Sequence, residues 1–346
     1  MTDAPDSAGE AQGVLTLAQI AELAGVSTAT VSKVVNGHQE VASDTRAMVE
    51  SVIQRHGYRR QKRQAKAQLL EVVFHELAGP YPVSVLNGVE RAARAHGLSI
   101  VLTQLQGRHE PGRSWTDTVL TRRPTGVVMV YSELTSAQQV QLASRDIPFV
   151  LVDPTGEPAH GVPSVGADNW SGGLAATRHL VNLGHRRVAI ITGGPMLSAR
   201  ARLDGYRAAL EEAGLPVDPT LIREGEYRIV DGYRHTTALM RLPEPPTAIF
   251  ASNDGEALGV YQAAHALGLR IPDDLSVVGF DDLPPAEIMI PALTTVRQPL
   301  GEMAAIATEL VVELSRGLSD RQRRVVLPTE LVVRASTAPP RRRLTP

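Results

Sequence analysis

Cysteine is absent from the chain, so neither a disulfide frame nor a thiolate metal site is available, and the sequence carries no mark of its redox compartment. No apolar run is long enough to span a bilayer. The first 14 residues, MTDAPDSAGEAQGV, are acidic and small and lack the positive start and apolar core of a signal peptide. A cytoplasmic chain with no membrane partner is expected. Catalytic signatures are missing as well. No Gly-x-Gly-x-x-Gly opens a helix after a strand, and neither a Gly-x-x-x-x-Gly-Lys-Ser/Thr loop nor a Gly-x-Ser-x-Gly elbow occurs. The histidines are scattered without metal-ligand spacing. No cofactor, metal or catalytic residue is therefore assigned, and the chain is expected not to be an enzyme.

At 346 residues with 43% hydrophobic side chains, there is material for more than one core. The net charge of −2 argues against a nucleic-acid partner only until its distribution is read. Between Leu15 and Lys66, eight cations (Lys33, Arg46, Arg55, Arg59, Arg60, Lys62, Arg63 and Lys66) face four acids (Glu22, Glu40, Asp44 and Glu50). That local excess is the footprint of a phosphate-binding surface.

The same segment holds TLAQIAELAGVSTATVSKVVNG, from Thr16 to Gly37. Ile20, Ala21 and Ala24 share one face of a first helix, Gly25 supplies a tight turn, and Val31, Val34 and Val35 pack a second helix against it. Small Ala21 lets the two helices cross closely. Thr16 with Gln19 forms a capping box, and Ser27 caps the second helix. A third helix follows, capped by Ser43, lined by Val49, Val52 and Ile53, and ended by Gly57 before Tyr58. This is a helix-turn-helix, and in this register Ser27, Thr28, Ala29, Ser32, Lys33 and Asn36 face away from the valine seam. Hydroxyls and amides suit phosphate oxygens, Lys33 suits guanine acceptors, and Ala29 suits a thymine methyl. Thr16, Thr30, Tyr58 and Arg60 complete the set assigned to DNA, although Tyr58, like His56, also suits packing at the end of the third helix. A solvated helical hairpin is the competing role.

From Leu69 the chain alternates short apolar runs with amphipathic stretches. Strands are expected at LLEVVF (from Leu69), LSIVLT (Leu98), GVVMV (Gly126) and PFVLV (Pro148), with helical faces at Val89, Ala92 and Ala93 and at Val119 and Leu120. A second series has strands RVAII (from Arg187), TAIFA (Thr247) and LSVVGF (Leu275), and helices near Leu174–Leu183, Asp204–Ala213 and Glu256–Leu267. Two such series predict two doubly wound parallel α/β lobes, with ligand bound beyond the carboxyl ends of the strands. Asp153, Asn253, Asp281 and Asp282 follow strands directly, and carboxylates and amides there suit sugar hydroxyls.

The order of GVSTATVSKVVNG, HGY, DNWSGGLAATRHLVNLGHRRVAIITGG, SARARLDGY, ASNDGEALGVY, IPDDLSVVGFDD, LTTVRQP and TELVVRAST resembles the LacI family of transcriptional repressors over about residues 15 to 338. The resemblance implies an all-α headpiece followed by a two-lobed, periplasmic-binding-protein-like body of type I. It implies a return of the chain near Thr294 to Pro299, so that the first lobe reclaims a helix around Leu300 to Arg316. It assigns Asp281 and Arg202 to a clasp on the effector, brings Asp153, Asn253 and Gln298 near it, and stacks Tyr227 on it. Glu76, Tyr81 and Trp170 are added from their places after a strand or at a helix start. Capping of the segment from Leu283 is the competing role for Asp281, a surface charge for Arg202, and core packing for Tyr81, Trp170 and Tyr227.

The expected organisation is a disordered tail (1–14), headpiece (15–60), basic linker (61–68), effector-binding and dimerisation body (69–338) and flexible tail (339–346). Relatives carry a Pro-Asn-x-x-Ala-Arg-x-Leu hinge whose leucine wedges into the minor groove, whereas this chain has RRQKRQAKAQ from Arg59 to Gln68. The implied function is an effector-responsive repressor, a homodimer on double-stranded operator DNA, answering to a mono- or oligosaccharide. A transport-type sugar-binding protein with a vestigial headpiece is the alternative.

Overall fold

The computed structural model describes residues 16–35, 41–55, 67–318 and 323–341. The chain divides into two compact units, residues 1–65 and 66–346.

In the first unit, α1 (Leu17–Leu23), α2 (Thr28–Val35) and α3 (Ser43–Arg55) enclose Ile20, Ala21, Ala24, Val31, Val34 and Val49, with Val52 and Ile53 at the margin. The Thr16 hydroxyl accepts from the Gln19 amide at 3.3 Å and the Gln19 side chain accepts from the Thr16 amide at 2.8 Å, closing the expected capping box. Gly25 turns the chain at a φ of +64°, and Ser27 caps α2 through the Thr30 amide at 3.1 Å. The third cap differs from expectation. The Arg46 amide bonds the carbonyl of Ala42, so Ala42 sits at the capping position, and Ser43, the first helical residue, gives its hydroxyl to Asp44.

In the second unit, the first lobe contains β1 (Ala67–Phe74), α4 (Pro80–Ala95), β2 (Ser99–Gln104), α5 (Arg113–Arg122), β3 (Pro124–Val130), α6 (Ser136–Ser144), β4 (Phe149–Val152) and β5 (Ser164–Ala167). The second lobe contains α7 (Asn169–Asn182), β6 (Val188–Thr192), α8 (Leu197–Glu212), β7 (Ile222–Glu224), α9 (Ile229–Leu239), β8 (Ala248–Ala251), α10 (Asp254–Ala266), β9 (Ser276–Asp281), α11 (Pro285–Ile288) and β10 (Thr294–Arg297). The chain then returns: α12 (Leu300–Arg316) and β11 (Arg324–Leu327) join the first lobe, and β12 (Glu330–Val332) ends in the second. The strand orders are β2-β1-β3-β4-β5-β11 and β7-β6-β8-β9-β10-β12. All pairs are parallel except β12, which runs antiparallel to β10. Each order reverses beside its first strand, between β1 and β3 or between β6 and β8, and those reversals open the crevices where such sheets bind ligands.

The apolar runs form buried strands because both sheet faces are covered; Val188–Ile191 and Ala248–Ala251 are almost fully shielded. Two helices start earlier than their apolar periodicity indicates, α7 at Asn169 and α8 at Leu197. Their first turns, NWSGG and LSARAR, carry little apolar rhythm, but Asp168 caps α7 by accepting from the Ser171 amide at 3.0 Å. Where α7 crosses α8, a Cβ on Gly173 would lie 2.3 Å from the carbonyl oxygen of Arg202, and one on Gly205 2.2 Å from that of Trp170. These two glycines let α7 approach the backbone that carries Arg202. Near the C-terminal end of the described residues, Ala338 accepts from His185, and Arg341 pairs with Asp273 at 3.0 Å.

Candidate functional site

The carboxyl ends of the strands of both lobes border a cavity of about 810 Å³. Of the nine residues expected there, eight line it: Glu76, Tyr81, Asp153, Arg202, Tyr227, Asn253, Asp281 and Gln298. The ninth, Trp170, does not. It lies in the first turn of α7, 44% exposed, with its carbonyl facing Gly205, because the helix start points it away from the strand ends.

Arg202 is the deepest cation. Its Nε donates to Asn169 at 2.8 Å, Nη1 to the carbonyl of Ser252 at 2.5 Å, and Nη2 lies 3.9 Å from Asp281. The guanidinium stacks 3.7 Å from the centre of the Phe280 ring and 5.7 Å from that of Tyr227. A surface-charge role is thereby replaced by a buried one. Burial pulls against its charge, yet Tyr227, Asp281 and Asp153 together hold its pKa above the usual value.

Asp281 receives Nε2 of Gln298 at 2.6 Å, and burial pushes its carboxyl up to about 7 despite Arg202 and Gln298. The segment from Leu283 is capped instead by Asp254, which accepts from the Leu283 amide at 2.7 Å and from Thr295 at 2.6 Å. Asp153 accepts from the Tyr81 hydroxyl at 3.1 Å, and burial raises its pKa too. Asn253 caps α10 through the Glu256 amide at 2.7 Å and donates to the Tyr227 carbonyl. Tyr131, Asp153, Tyr227 and Asp281 all hold positive φ, between 50° and 107°. Such strain in non-glycine residues persists where surrounding packing imposes it and collects at ligand sites.

Three further lining residues form a cluster of rings. His75 and His109 stack with ring centres 4.0 Å apart and planes 4° from parallel, and Tyr131 meets both edge-on. They come from three separate segments, His75 and Tyr131 directly after β1 and β3 and His109 from the stretch between β2 and α5, so only strand-end position could have signalled the first two. Tyr131 also touches Tyr227 across the cleft, ring centres 6.3 Å apart. Buried beside Tyr227, Glu256 has no hydrogen-bond partner on either side-chain oxygen, and burial raises its pKa well above the usual range.

In the helical unit, Ser27, Thr28, Ala29 and Lys33 are exposed and Ser32 is half-buried; Ala29, Ser32 and Lys33 lie on the face of α2 opposite Val31 and Val34, with Ser27 and Thr28 at its start. Thr16 is exposed but engaged in its capping box, and the half-buried Thr30 hydroxyl lies 2.9 Å from that of Ser27. Asn36, Tyr58 and Arg60, with the rest of the basic linker up to Lys66, lie outside the described residues. No helix among the described residues is long and apolar enough to cross a membrane.

The chain is similar to known regulatory proteins. Residues 16–61 match the family described as bacterial regulatory proteins, lacI family, and residues 177–337 match a periplasmic binding protein-like domain. The ribose operon repressor of Escherichia coli is 32% identical over 330 residues, covering 93% of this chain and 99% of that protein. Among solved structures, the complex of the transcriptional regulator CelR with cellobiose is similar at a TM-score of 0.71 and 32% identity, covering 93% of this chain and 99% of that one. The lac repressor dimer bound to operator and the anti-inducer ONPF is similar at a TM-score of 0.68 and 27% identity, covering 94% and 100%.

Proposed function

The chain belongs to the LacI family of bacterial regulatory proteins, and from that membership we propose a homodimeric transcriptional repressor that binds double-stranded operator DNA and answers to a sugar held between its lobes. Residues 15–60 read DNA, 61–68 link, and 69–338 bind the effector and dimerise. The protein acts in the cytoplasm, beside the DNA it reads, and carries out no catalytic step.

Support for the DNA half is the exposed hydroxyl, methyl and lysine face of α2, flanked by the surplus of cations between Leu15 and Lys66. A two-fold dimer pairs two such faces with two half-sites of a near-palindromic operator.

The observation that carries the ligand half is the Arg202–Asp281–Gln298 group. A buried carboxylate is held between a cation and an amide, and Oε1 of Gln298 has no hydrogen-bond partner. Leaving a buried acceptor unmet costs free energy, which a hydroxyl-bearing ligand recovers by donating to it. In this reading Asp281 and Arg202 clasp the sugar, Asp153, Asn253, Glu76 and Gln298 meet its hydroxyls, and Tyr81 and Tyr227 pack against it. The ligand shifts operator affinity because it binds one lobe arrangement better than the other.

The test selects DNA in vitro with the full chain and then measures fluorescence anisotropy on the selected duplex with and without added sugars. A palindromic site whose affinity changes with a sugar is expected. Binding without sequence preference, or affinity indifferent to all sugars, contradicts the proposal.

A further inference from the structure

We propose that the cavity is a two-part site for an uncharged sugar of at least two rings, the Arg202–Asp281–Gln298 clasp taking one ring and the stacked His75–His109 pair the next. This rests on the carbohydrate reading above and adds size, charge and a second subsite to it.

Length comes from the row of rings. The imidazole pair touches Tyr131, Tyr131 touches Tyr227, and the Arg202 guanidinium lies over Tyr227, each step with centres 5.3–6.3 Å apart. Two rings, Tyr131 and Tyr227, thus link the imidazole pair to the clasp along the cavity wall. The cavity volume, about 810 Å³, lies in the upper part of the range for small-molecule pockets.

Charge comes from the lining. Carboxyl groups on Glu76, Asp153, Glu226, Asp254 and Asp281 outnumber the guanidiniums of Arg202 and Arg228. Arg202 is engaged by Asn169, Ser252 and Asp281, and Arg228 by Glu226 at 3.2 Å. A phosphate or carboxylate entering this cavity would find both cations already matched by protein partners.

The second subsite is defined by hydrogen bonding. Nδ1 of His75 lies 2.9 Å from the carbonyl of Arg108, and Nδ1 of His109 lies 3.1 Å from that of Tyr131. A carbonyl only accepts, so each Nδ1 carries a proton. Burial holds the His109 ring toward its neutral form, which leaves its Nε2 an acceptor for a hydroxyl. Because the two rings already lie 4.0 Å apart, they leave no slot for a planar base. They offer an outer aromatic face to the C–H face of a sugar.

The test is calorimetry on the full chain with glucose, cellobiose, maltose, cellotriose, glucose 6-phosphate and adenosine, together with the variants His75→Ala/His109→Ala, His109→Gln and Asp281→Ala, each first checked by thermal melting. An uncharged disaccharide should bind at least about tenfold more tightly than glucose. The double alanine variant should remove that advantage while leaving glucose affinity unchanged, and His109→Gln, which keeps a polar side chain, should lose less. Equal affinity for glucose and every disaccharide, tightest binding of glucose 6-phosphate or adenosine, or equal losses for one and two rings in the double variant overturns the second subsite. Asp281→Ala separates the two readings: unchanged sugar binding in that variant overturns the clasp itself.

Discussion

Gln298 donates from Nε2 to Oδ1 of Asp281 at 2.6 Å, while its own Oε1 meets no partner. One amide thus both holds the key carboxylate and presents a waiting acceptor. Gln298 follows β10, immediately before the chain returns to the first lobe in α12, so the clasp sits on one of the connections between the lobes.

Asp281→Ala and Arg202→Ala should both preserve operator affinity and abolish its dependence on ligand. Their stabilities should differ. Removing Arg202 strips buried partners from Asn169, Ser252 and Asp281, a loss of about 3–5 kcal/mol by analogy with broken buried ion pairs. Urea unfolding and anisotropy titrations check both points, and normal ligand response in either variant contradicts the clasp.

The raised pKa of Asp281 predicts a pH dependence with a definite sign. Between the unfolded carboxyl value of about 3.9 and the folded value of about 7, the native state binds the extra proton. Stability from this group therefore falls as pH rises through that window and is fully lost above it. Asp153 and Asp254 are raised and act in the same direction. Burial lowers His109, His179 and His185, which act oppositely, losing stability as pH falls through the unfolded histidine value. Comparing urea midpoints of the parent and Asp281→Asn between pH 5 and 7.5 isolates the aspartate: the variant should be relatively more stable at the upper end. A constant difference across that range would show that Asp281 does not titrate there.

Lys33→Ala should relax base preference at one position per half-site, costing on the order of 1–3 kcal/mol of discrimination. Competition binding with single-base operator variants reads this directly. Equal weakening on specific and random duplexes would reduce Lys33 to a phosphate contact.

The basic linker gives a fourth expectation, drawn from the sequence alone. Replacing Arg60, Lys62 and Arg63 by Gln should flatten the plot of log affinity against log salt by up to about 2.7 per subunit, at about 0.9 per phosphate neutralised. Base preference should hardly change. Without the leucine wedge of relatives, bending of the operator should be modest. An unchanged salt slope or a sharp central kink would assign the segment another role.

What the sequence by itself determined follows short-range rules. Capping at Thr16 and Ser27, the Gly25 turn and the valine seam of α2 depend on neighbours within one or two turns, and buried parallel strands announce themselves as unbroken apolar runs. The strand-end positions of Asp153, Asn253 and Asp281 were legible for the same reason. Tertiary structure alone decided which side chains face the cavity. Trp170 turns away because α7 starts at Asn169, Asp254 rather than Asp281 caps the Leu283 segment, and His75, His109 and Tyr131 meet although two intervals of more than twenty residues separate them in the chain. Such contacts are set by strand order and by the close crossing at Gly173 and Gly205, and no local periodicity encodes the direction of a side chain relative to a sheet formed elsewhere in the chain.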